Sequence, residues 1–274
     1  MHVIISFLTW GIIMQSSELV VKSNRLVEAS YRLTLNEQRI ILYAICRTRE
    51  EDAALTPDKP VTITADSFAK QFPSVGKGNV YQQLRDAMDA LYERSVTIND
   101  KDPQTGHDRV TKTRWISTAS YIDGAGHVQV IFAPQVIKYI ARVEEEFTKY
   151  QLEKVSEMTS FHAIRIYELL SQYRAARSRS ITLVELRNYL QIEPSEYKLT
   201  ANFMRKVLDV AVKQIDDFSD LSIKYTPIKT SRAITAFAFK IKEKKSLAQD
   251  QAYRNELEAR GQQRIPDPEA TEEF

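Results

Sequence analysis

The spacing of apolar side chains changes along residues 200–241 from a helical to a strand period. Thr200 is expected to cap a helix, because a threonine oxygen accepts hydrogen bonds from the free amides of a first turn. Residues 221–226 and 233–241 then alternate in polarity and predict two strands, which a basic turn at residues 227–232 joins. A helix followed by a basic hairpin is the second half of a winged helix. Six apolar residues predict the buried face of the helix: Phe203, Val207, Val210, Ala211, Ile215 and Phe218.

The order of predicted elements occurs twice. In each set an early strand is expected to join the hairpin, because an isolated hairpin is only marginally stable. A repeat at this scale indicates similar domains in tandem, so the fold class is predicted as α+β with two tandem winged-helix domains. The first set comprises helices at residues 26–46, 66–72 and 80–91 and strands at 61–64, 96–98, 115–122 and 127–132. The second comprises a helix at 160–173, a strand at 180–182, a short helix at 183–190, and the helix and hairpin above.

Four segments follow from these patterns. Residues 18–145 are expected to form the first winged-helix domain and residues 146–245 the second, with residues 147–152 as a connector. Residues 1–17 are expected to be a flexible N-terminal extension. Residues 246–274 are expected to be a polar and largely disordered tail, because the apolar stripe fades there and the end is acidic.

Charge and cysteine content indicate which partners and which cellular compartment to expect. The formal net charge of +2 does not by itself indicate a nucleic-acid partner, but the acidic tail hides a basic core. Cys46 is the single cysteine, so no intramolecular disulfide can form and a reducing, cytoplasmic setting is expected. The apolar run at residues 3–14 is too short to span a bilayer, so no membrane partner is expected.

Catalytic and metal chemistry is not indicated. The four histidines are scattered and no pair of cysteines exists, so no metal site is expected. Gly76 and Lys77 do not form a phosphate-binding loop, because Gln71 lies five positions before Gly76 and Gly78 follows Lys77. No nucleophile and base can be paired. The chain is therefore expected not to be an enzyme and to have no catalytic residue and no cofactor.

The predicted helix and hairpin carry candidate DNA contacts. Arg and Lys pair with guanine and Asn with adenine in a major groove, so the polar face of the helix is expected to read base edges. Basic residues of the wing are expected to contact phosphate, which positions a protein without reading sequence. A solvated helix with Arg205 paired to Asp209 also fits the pattern. The helix candidates are Lys198, Thr200, Asn202, Arg205, Lys206 and Lys213, and the wing candidates are Lys224, Lys229, Ser231 and Arg232.

Three blocks of residues resemble a known family. The first is Ser23-Asn-Arg-Leu-Val-Glu-Ala-Ser-Tyr-Arg-Leu-Thr-Leu-Asn-Glu-Gln-Arg-Ile-Ile-Leu42. The others are Phe147-Thr-Lys-Tyr-Gln-Leu152 and Arg165-Ile-Tyr-Glu-Leu-Leu170. In this order they resemble the iteron-binding plasmid replication initiators of the RepE and RepA type, and the similarity covers residues 18–245. Met204 departs from the family, which tends to have a basic residue there.

The resemblance implies different roles for the two domains. The first domain would be the main dimerisation domain and would contact the DNA backbone, with Lys77, Asn79 and Arg85 as candidates. The second would read the major groove of short direct repeats, the iterons, at a replication origin. Monomers would start replication, whereas homodimers in equilibrium with them would bind an operator inverted repeat and repress their own gene. The implied partners are double-stranded DNA and the host's replication initiator, helicase and chaperones.

Two other functions fit the same sequence. A transcriptional repressor with tandem winged helices and no replication role would use the same surfaces, and direct repeats beside the gene would distinguish the initiator from it. A DNA-nicking relaxase is a weaker alternative, because no paired-histidine metal site accompanies the tyrosines. Metal-dependent nicking of supercoiled DNA would identify such an enzyme.

Overall fold

The structure, a computed structural model, describes residues 18–50, 55–76, 78–102, 104–122, 124–141 and 146–244. The expectations for residues 1–17, for residues 246–274 and for Lys77 lie outside this part of the chain. The described residues fold as two α+β units with the same order of elements. We call residues 18–141 the first unit and residues 146–244 the second unit.

The first unit contains a helical core, a three-stranded antiparallel sheet and a separate hairpin. Its helices are α1 (Asn24–Val27), α2 (Leu35–Glu50), α3 (Ala65–Gln71), α4 (Val80–Glu93) and α5 (Pro134–Ile140). Its strands are β1 (Leu19–Ser23), β2 (Val61–Thr64), β3 (Ser95–Lys101), β4 (Asp108–Arg114), β5 (Ile116–Ile122) and β6 (His127–Phe132). β6 lies between β2 and β5, so that Val130 pairs with Val61 on one side and Ala119 on the other. β3 pairs with β4 alone in the second sheet of this unit.

The second unit repeats this arrangement. Its helices are α6 (Glu153–Ser156), α7 (Phe161–Ser171), α8 (Leu183–Tyr189) and α9, which is continuous from residue 200 to residue 218. Its strands are β7 (Phe147–Gln151), β8 (Ser178–Thr182), β9 (Leu221–Thr230) and β10 (Ala233–Glu243). β10 lies between β8 and β9, and Phe237 pairs with Ile181 and Pro227. Pro227 is tolerated because β9 is an edge strand.

Matching helix caps explain why the same local structure forms twice. The Thr64 hydroxyl accepts a hydrogen bond from the Ser67 amide at 3.2 Å where β2 passes into α3. At the corresponding place in the second unit, Thr182 and Glu185 form a reciprocal capping box between β8 and α8. Each hydroxyl satisfies an amide that the first helical turn leaves free. The expected joining of the early strand to the hairpin is confirmed in both units.

The sequence prediction was wrong at three places in and around the first unit. The helix predicted at residues 26–46 is interrupted, because α1 ends at Val27 and α2 begins only at Leu35. The strand around Val96 does not join the sheet of Val130 but pairs with β4, which was missed. Residues 147–152 are not a plain connector, because β7 pairs with β1 along its length.

A group of buried charges joins the two units. The Lys22 ammonium, on β1, lies 2.7 Å from a carboxylate oxygen of Glu168 on α7, and both side chains are fully buried. Glu168 also accepts hydrogen bonds from the Tyr150 hydroxyl at 2.7 Å and from the Arg165 guanidinium at 3.1 Å. Burial alone would raise the pKa of Glu168, but the positive charges of Lys22 and Arg165 hold it below its usual range. The carboxylate is therefore charged and fully hydrogen-bonded inside the protein.

Arg165 extends this group into the backbone of the first unit. Its guanidinium donates to the carbonyl oxygens of Val27 at 2.8 Å and Ala29 at 3.1 Å, and it packs over the Tyr31 ring at 4.0 Å. Val27 is the last residue of α1, and Ala29 lies in the break between α1 and α2. The interruption of the predicted helix therefore leaves backbone acceptors free, and a side chain of the second unit satisfies them.

Replacing Glu168 by glutamine tests the buried charges. Glu168→Gln preserves the shape of the side chain but leaves Lys22 and Arg165 buried without an anion, so the free energy of unfolding should fall by about 3–5 kcal/mol. The control Glu153→Gln breaks an exposed pair with Lys154 and should change stability by less than about 1 kcal/mol. Urea unfolding measures both variants. Equal midpoints for Glu168→Gln and the wild type would contradict the role given to this carboxylate.

Candidate nucleic-acid interface

The predicted recognition helix, α9, contains a turn of wider helix. Thr200–Phe203 and Asp209–Phe218 are α-helical, whereas Met204–Leu208 is π-helical. The extra residue in a π turn places both Val207 and Leu208 in the core, where the sequence period predicted only Val207. Phe203, Ala211 and Ile215 complete the buried face as predicted, but Val210 and Phe218 lie outside it and are 39% and 41% exposed.

The predicted capping role of Thr200 is wrong. Leu199 occupies the cap position and offers no side-chain hydrogen bond, and the helix already includes Thr200. The Leu199 carbonyl accepts the amides of Asn202 at 2.9 Å and Phe203 at 3.2 Å. Thr200 is thus the first helical residue, and its half-buried side chain lies beside the reading face.

The polar face of α9 is exposed where base contacts were predicted. Arg205 and Lys206 are exposed and Asn202 is half-buried, with the Arg205 guanidinium donating to the Asn202 amide oxygen at 3.4 Å. Arg205 does not pair with Asp209, as the alternative interpretation required. An Asp209 oxygen instead accepts the Tyr225 hydroxyl at 2.5 Å, which ties α9 to β9. Arg205 is therefore held only by a weak contact to another candidate base reader.

Two more helix candidates flank this face. Lys198 is exposed in the loop before the helix. Lys213 lies further along α9, and its ammonium is 2.7 Å from a carboxylate oxygen of Asp217. The hydrogen bond to Asp217 raises the pKa of Lys213, so the ammonium stays charged but its field is partly neutralised. Lys198 thus offers DNA a fuller positive charge than Lys213 does.

The wing is a longer hairpin than the sequence predicted. β9 continues through the predicted turn to Thr230, so only Ser231 and Arg232 connect the strands. Ser231 adopts the left-handed conformation that such a tight turn needs, with φ of 57°. The pairing register shifts near the tip, between Ile234 and Ala236, as it does at a β-bulge. The four predicted wing residues are all exposed: Lys224, Lys229, Ser231 and Arg232.

Arg187, which was not predicted from the sequence, fixes the loop before α9. Its guanidinium donates at 2.6 Å to the carbonyl oxygens of both Glu193 and Glu196 and lies 5.7 Å from the centre of the Phe203 ring. One side chain on α8 therefore holds both the loop and the buried first turn of the recognition helix. No sequence period indicates this role, because it depends on carbonyls that only the folded loop brings together.

The loop anchored by Arg187 also contacts the first unit. Glu196 and Arg32 form a pair of hydrogen bonds at 2.9 and 3.1 Å. This pair is partly exposed, so its contribution to stability is small, about 1 kcal/mol or less. It nevertheless links the segment before α9 to the segment between α1 and α2.

The candidate DNA contacts of the first unit are less favourably placed than those of the second unit. Asn79 is exposed immediately before α4 and has a left-handed backbone with φ of 55°. Arg85 is half-buried, and its guanidinium lies 5.0 Å from the centre of the Tyr121 ring. To contact phosphate, the Arg85 guanidinium would have to reach DNA from its stacked position or leave the Tyr121 ring. Both residues therefore remain predictions.

Neither a metal cluster nor a membrane span is found in the part of the chain that the structure describes. No group of three or more His, Cys, Asp and Glu residues is placed to hold a metal ion there. No described helix is long and apolar enough to cross a bilayer.

Comparison with known families decides the class of protein. The profile described as "Initiator Replication protein, WH1" matches residues 19–171, and that described as "Initiator Rep protein, WH2" matches residues 182–241. The chain belongs to the initiator replication protein family. The α+β fold with two winged-helix domains, expected from the sequence, is confirmed for this initiator, as is the resemblance to replication initiators.

Several known proteins are similar to this initiator. An uncharacterised 27.6 kDa protein of Escherichia coli is 25% identical over 76% of this chain and 88% of its own length. The Pi initiator protein, solved in complex with iteron DNA, has the same fold, with a TM-score of 0.68 at 17% identity over 84% of this chain and 99% of that one. The WH1 domain of MSBI1.176, a replication protein isolated from a multiple sclerosis patient, is 37% identical over 43% of this chain and 88% of that one, with a TM-score of 0.36.

Removing the guanidinium of Arg205 tests base reading. Arg205→Ala should cost about 1–3 kcal/mol in specific binding and relax the preference at one base position, because the side chain lies on the exposed first turns of α9. Fluorescence anisotropy against a panel of single-base variants measures this. The control Lys138→Ala removes an exposed cation from α5 of the first unit and should leave the preference unchanged. An unchanged preference in folded Arg205→Ala would exclude Arg205 as a base reader.

Removing the two charges at the wing tip tests phosphate contact. Replacing Lys229 and Arg232 together by alanine should weaken binding to all sequences and lower the slope of log affinity against log salt by roughly one unit per lost contact. Titrations at several salt concentrations measure the slope. A matched pair of substitutions at exposed Lys59 and Lys138 should leave it almost unchanged. A wing variant with the wild-type slope would show that the tip does not meet phosphate.

Proposed function

We propose that this initiator binds direct repeats, or iterons, at a plasmid origin through α9 and the wing of its second unit. The observation that carries the proposal is a set of exposed cations without acidic partners on α9, on the loop before it and on the wing. Within the described residues, no carboxylate pairs with any member of this set: Lys198, Arg205, Lys206, Lys229 and Arg232. Such cations gain most from phosphate, because binding releases the counterions of DNA.

The arrangement of these cations favours duplex DNA. Arg205 and Lys206 lie with Asn202 on the first turns of one helix, where side chains reach base edges in a major groove. The wing tip carries its charges on an adjacent hairpin, where they can meet the backbone. The Pi initiator protein was solved with iteron DNA and shares this fold, which supports the same class of site here.

Direct repeats determine how many chains bind. Each chain has one second unit, and neighbouring direct repeats have no two-fold axis between them. One chain per repeat is therefore the expected arrangement, and monomers are the active form at an origin. An inverted repeat has a two-fold axis and suits a homodimer, so we propose that dimers bind the operator and repress their own gene.

We assign pairing of chains to residues 18–145 and reading of DNA to residues 146–245. Among the described strands of the first unit, β4 and β5 have unpaired outer edges, which a second copy can satisfy. The host's replication initiator, helicase and chaperones are proposed as cytoplasmic partners on the family's pattern. The family favours this function over that of a plain repressor. No catalytic step is proposed.

Binding to DNA from beside its own gene tests this function. The full chain is used, because a cut at residue 145 would separate β1 from β7 and expose Lys22. Sedimentation velocity with a labelled duplex should give one chain on one direct repeat and one more for each added repeat. Two chains on a single repeat, or equal binding to a scrambled duplex at the same salt concentration, would contradict the proposal.

A further inference from the structure

Leu199 is an exposed apolar residue at the start of the recognition helix. It lies at the cap position of α9, and its side chain is 67% exposed. Lys198 precedes it, and Arg205 and Lys206 follow one to two turns later. Along the chain, a large exposed apolar group thus lies between cations that carry the proposed function.

This leucine is unfavourable for the helix itself. Ser, Thr, Asn and Asp are preferred at a cap, because their oxygens accept an amide of the first turn, and leucine offers no such oxygen. The side chain also gains little from burial at this exposure. A residue that weakens its own helix without a packing gain marks a position where function sets the choice.

The backbone holds Leu199 in a fixed place. Its carbonyl accepts the amides of Asn202 and Phe203, and Phe203 is fully buried. Arg187 covers the Phe203 ring and binds the loop carbonyls of Glu193 and Glu196. The leucine side chain is therefore presented outward from a rigid frame, so it can contact a partner without a large loss of backbone entropy.

We propose that Leu199 reads thymine by contacting its C5-methyl group in the major groove. This inference rests on the proposed function and adds a specificity residue to it. The flanking cations select a polyanion as the occupant of this surface. Among the groups that a base pair presents in the major groove, the thymine methyl is the apolar one, so it is the natural contact for an exposed leucine among cations.

Uracil in place of thymine isolates this contact, because the two bases differ by the methyl group alone. Each thymine of one repeat is replaced in turn, and affinities are measured by fluorescence anisotropy. The wild type should lose about fourfold in affinity at one thymine or two adjacent ones, as expected for one methyl group returned to water. Leu199→Ser should bind thymine and uracil equally at those positions.

The serine variant also separates recognition from folding. A serine oxygen can cap α9, so the thermal midpoint of Leu199→Ser should equal or exceed that of the wild type. The control Val184→Ala shortens an aliphatic side chain that is 69% exposed on α8 and should keep the full uracil penalty. Leu199→Ala should lose the penalty like the serine variant.

The outcomes distinguish the role of Leu199 from the proposed function on which it rests. Failure of the wild type to prefer the repeat over a scrambled duplex would contradict the proposed function. Preference for the repeat with no uracil penalty at any position overturns the role of Leu199 alone. The same holds if Leu199→Ser retains the wild-type penalty.

Discussion

The buried carboxylate of Glu168 constrains both units at once. Lys22 reaches it from β1 of the first unit, while Arg165 binds it from one turn earlier on α7 and also holds the carbonyls between α1 and α2. Removing one partner from a buried group of this kind costs several kcal/mol, so each charge must keep its neighbours. The pairing of β1 with β7 also joins the first unit to the second. The buried charges and this strand pairing therefore both join the two units.

That constraint extends to the surface that we propose reads DNA. α7 packs against α9, and the Gln214 side chain of α9 accepts the amides of Thr159 and Ser160 just before α7 at 2.9 and 3.0 Å. Arg187 fixes the N-terminal end of α9 by binding the loop that precedes it. The orientation of α9 is thus tied to α7, the helix that carries Glu168. A change in how the units pack would change how α9 and the wing are presented to DNA.

Sequence periodicity predicted the repeated fold because both units bury one apolar stripe per helix and cap the same short helix. It failed for two kinds of strand. β1 and β7 pair although more than a hundred residues separate them, and β4 is polar apart from Val110, so it has no apolar face to indicate a strand. The recognition helix was predicted in place, but its π turn was not, since the turn moves Leu208 inward without altering the overall pattern. Charge and residue type indicated Arg205, Lys206 and the wing tip. The proposed role of Leu199 and the contacts of Arg187 could not be predicted, because they depend on exposure and on carbonyl positions that only the folded chain shows.

Dimethyl sulfate footprinting of a repeat array tests the central claim most directly, because the reagent methylates guanine N7 in the major groove. If α9 of one chain reads each repeat, protection should occur in one short major-groove segment, at the same position and on the same strand in every repeat. Protection that is mirrored between neighbouring repeats would contradict the account, since it would indicate two-fold pairs of chains. A bound array without major-groove protection would also contradict it, since α9 would then not be the reading element.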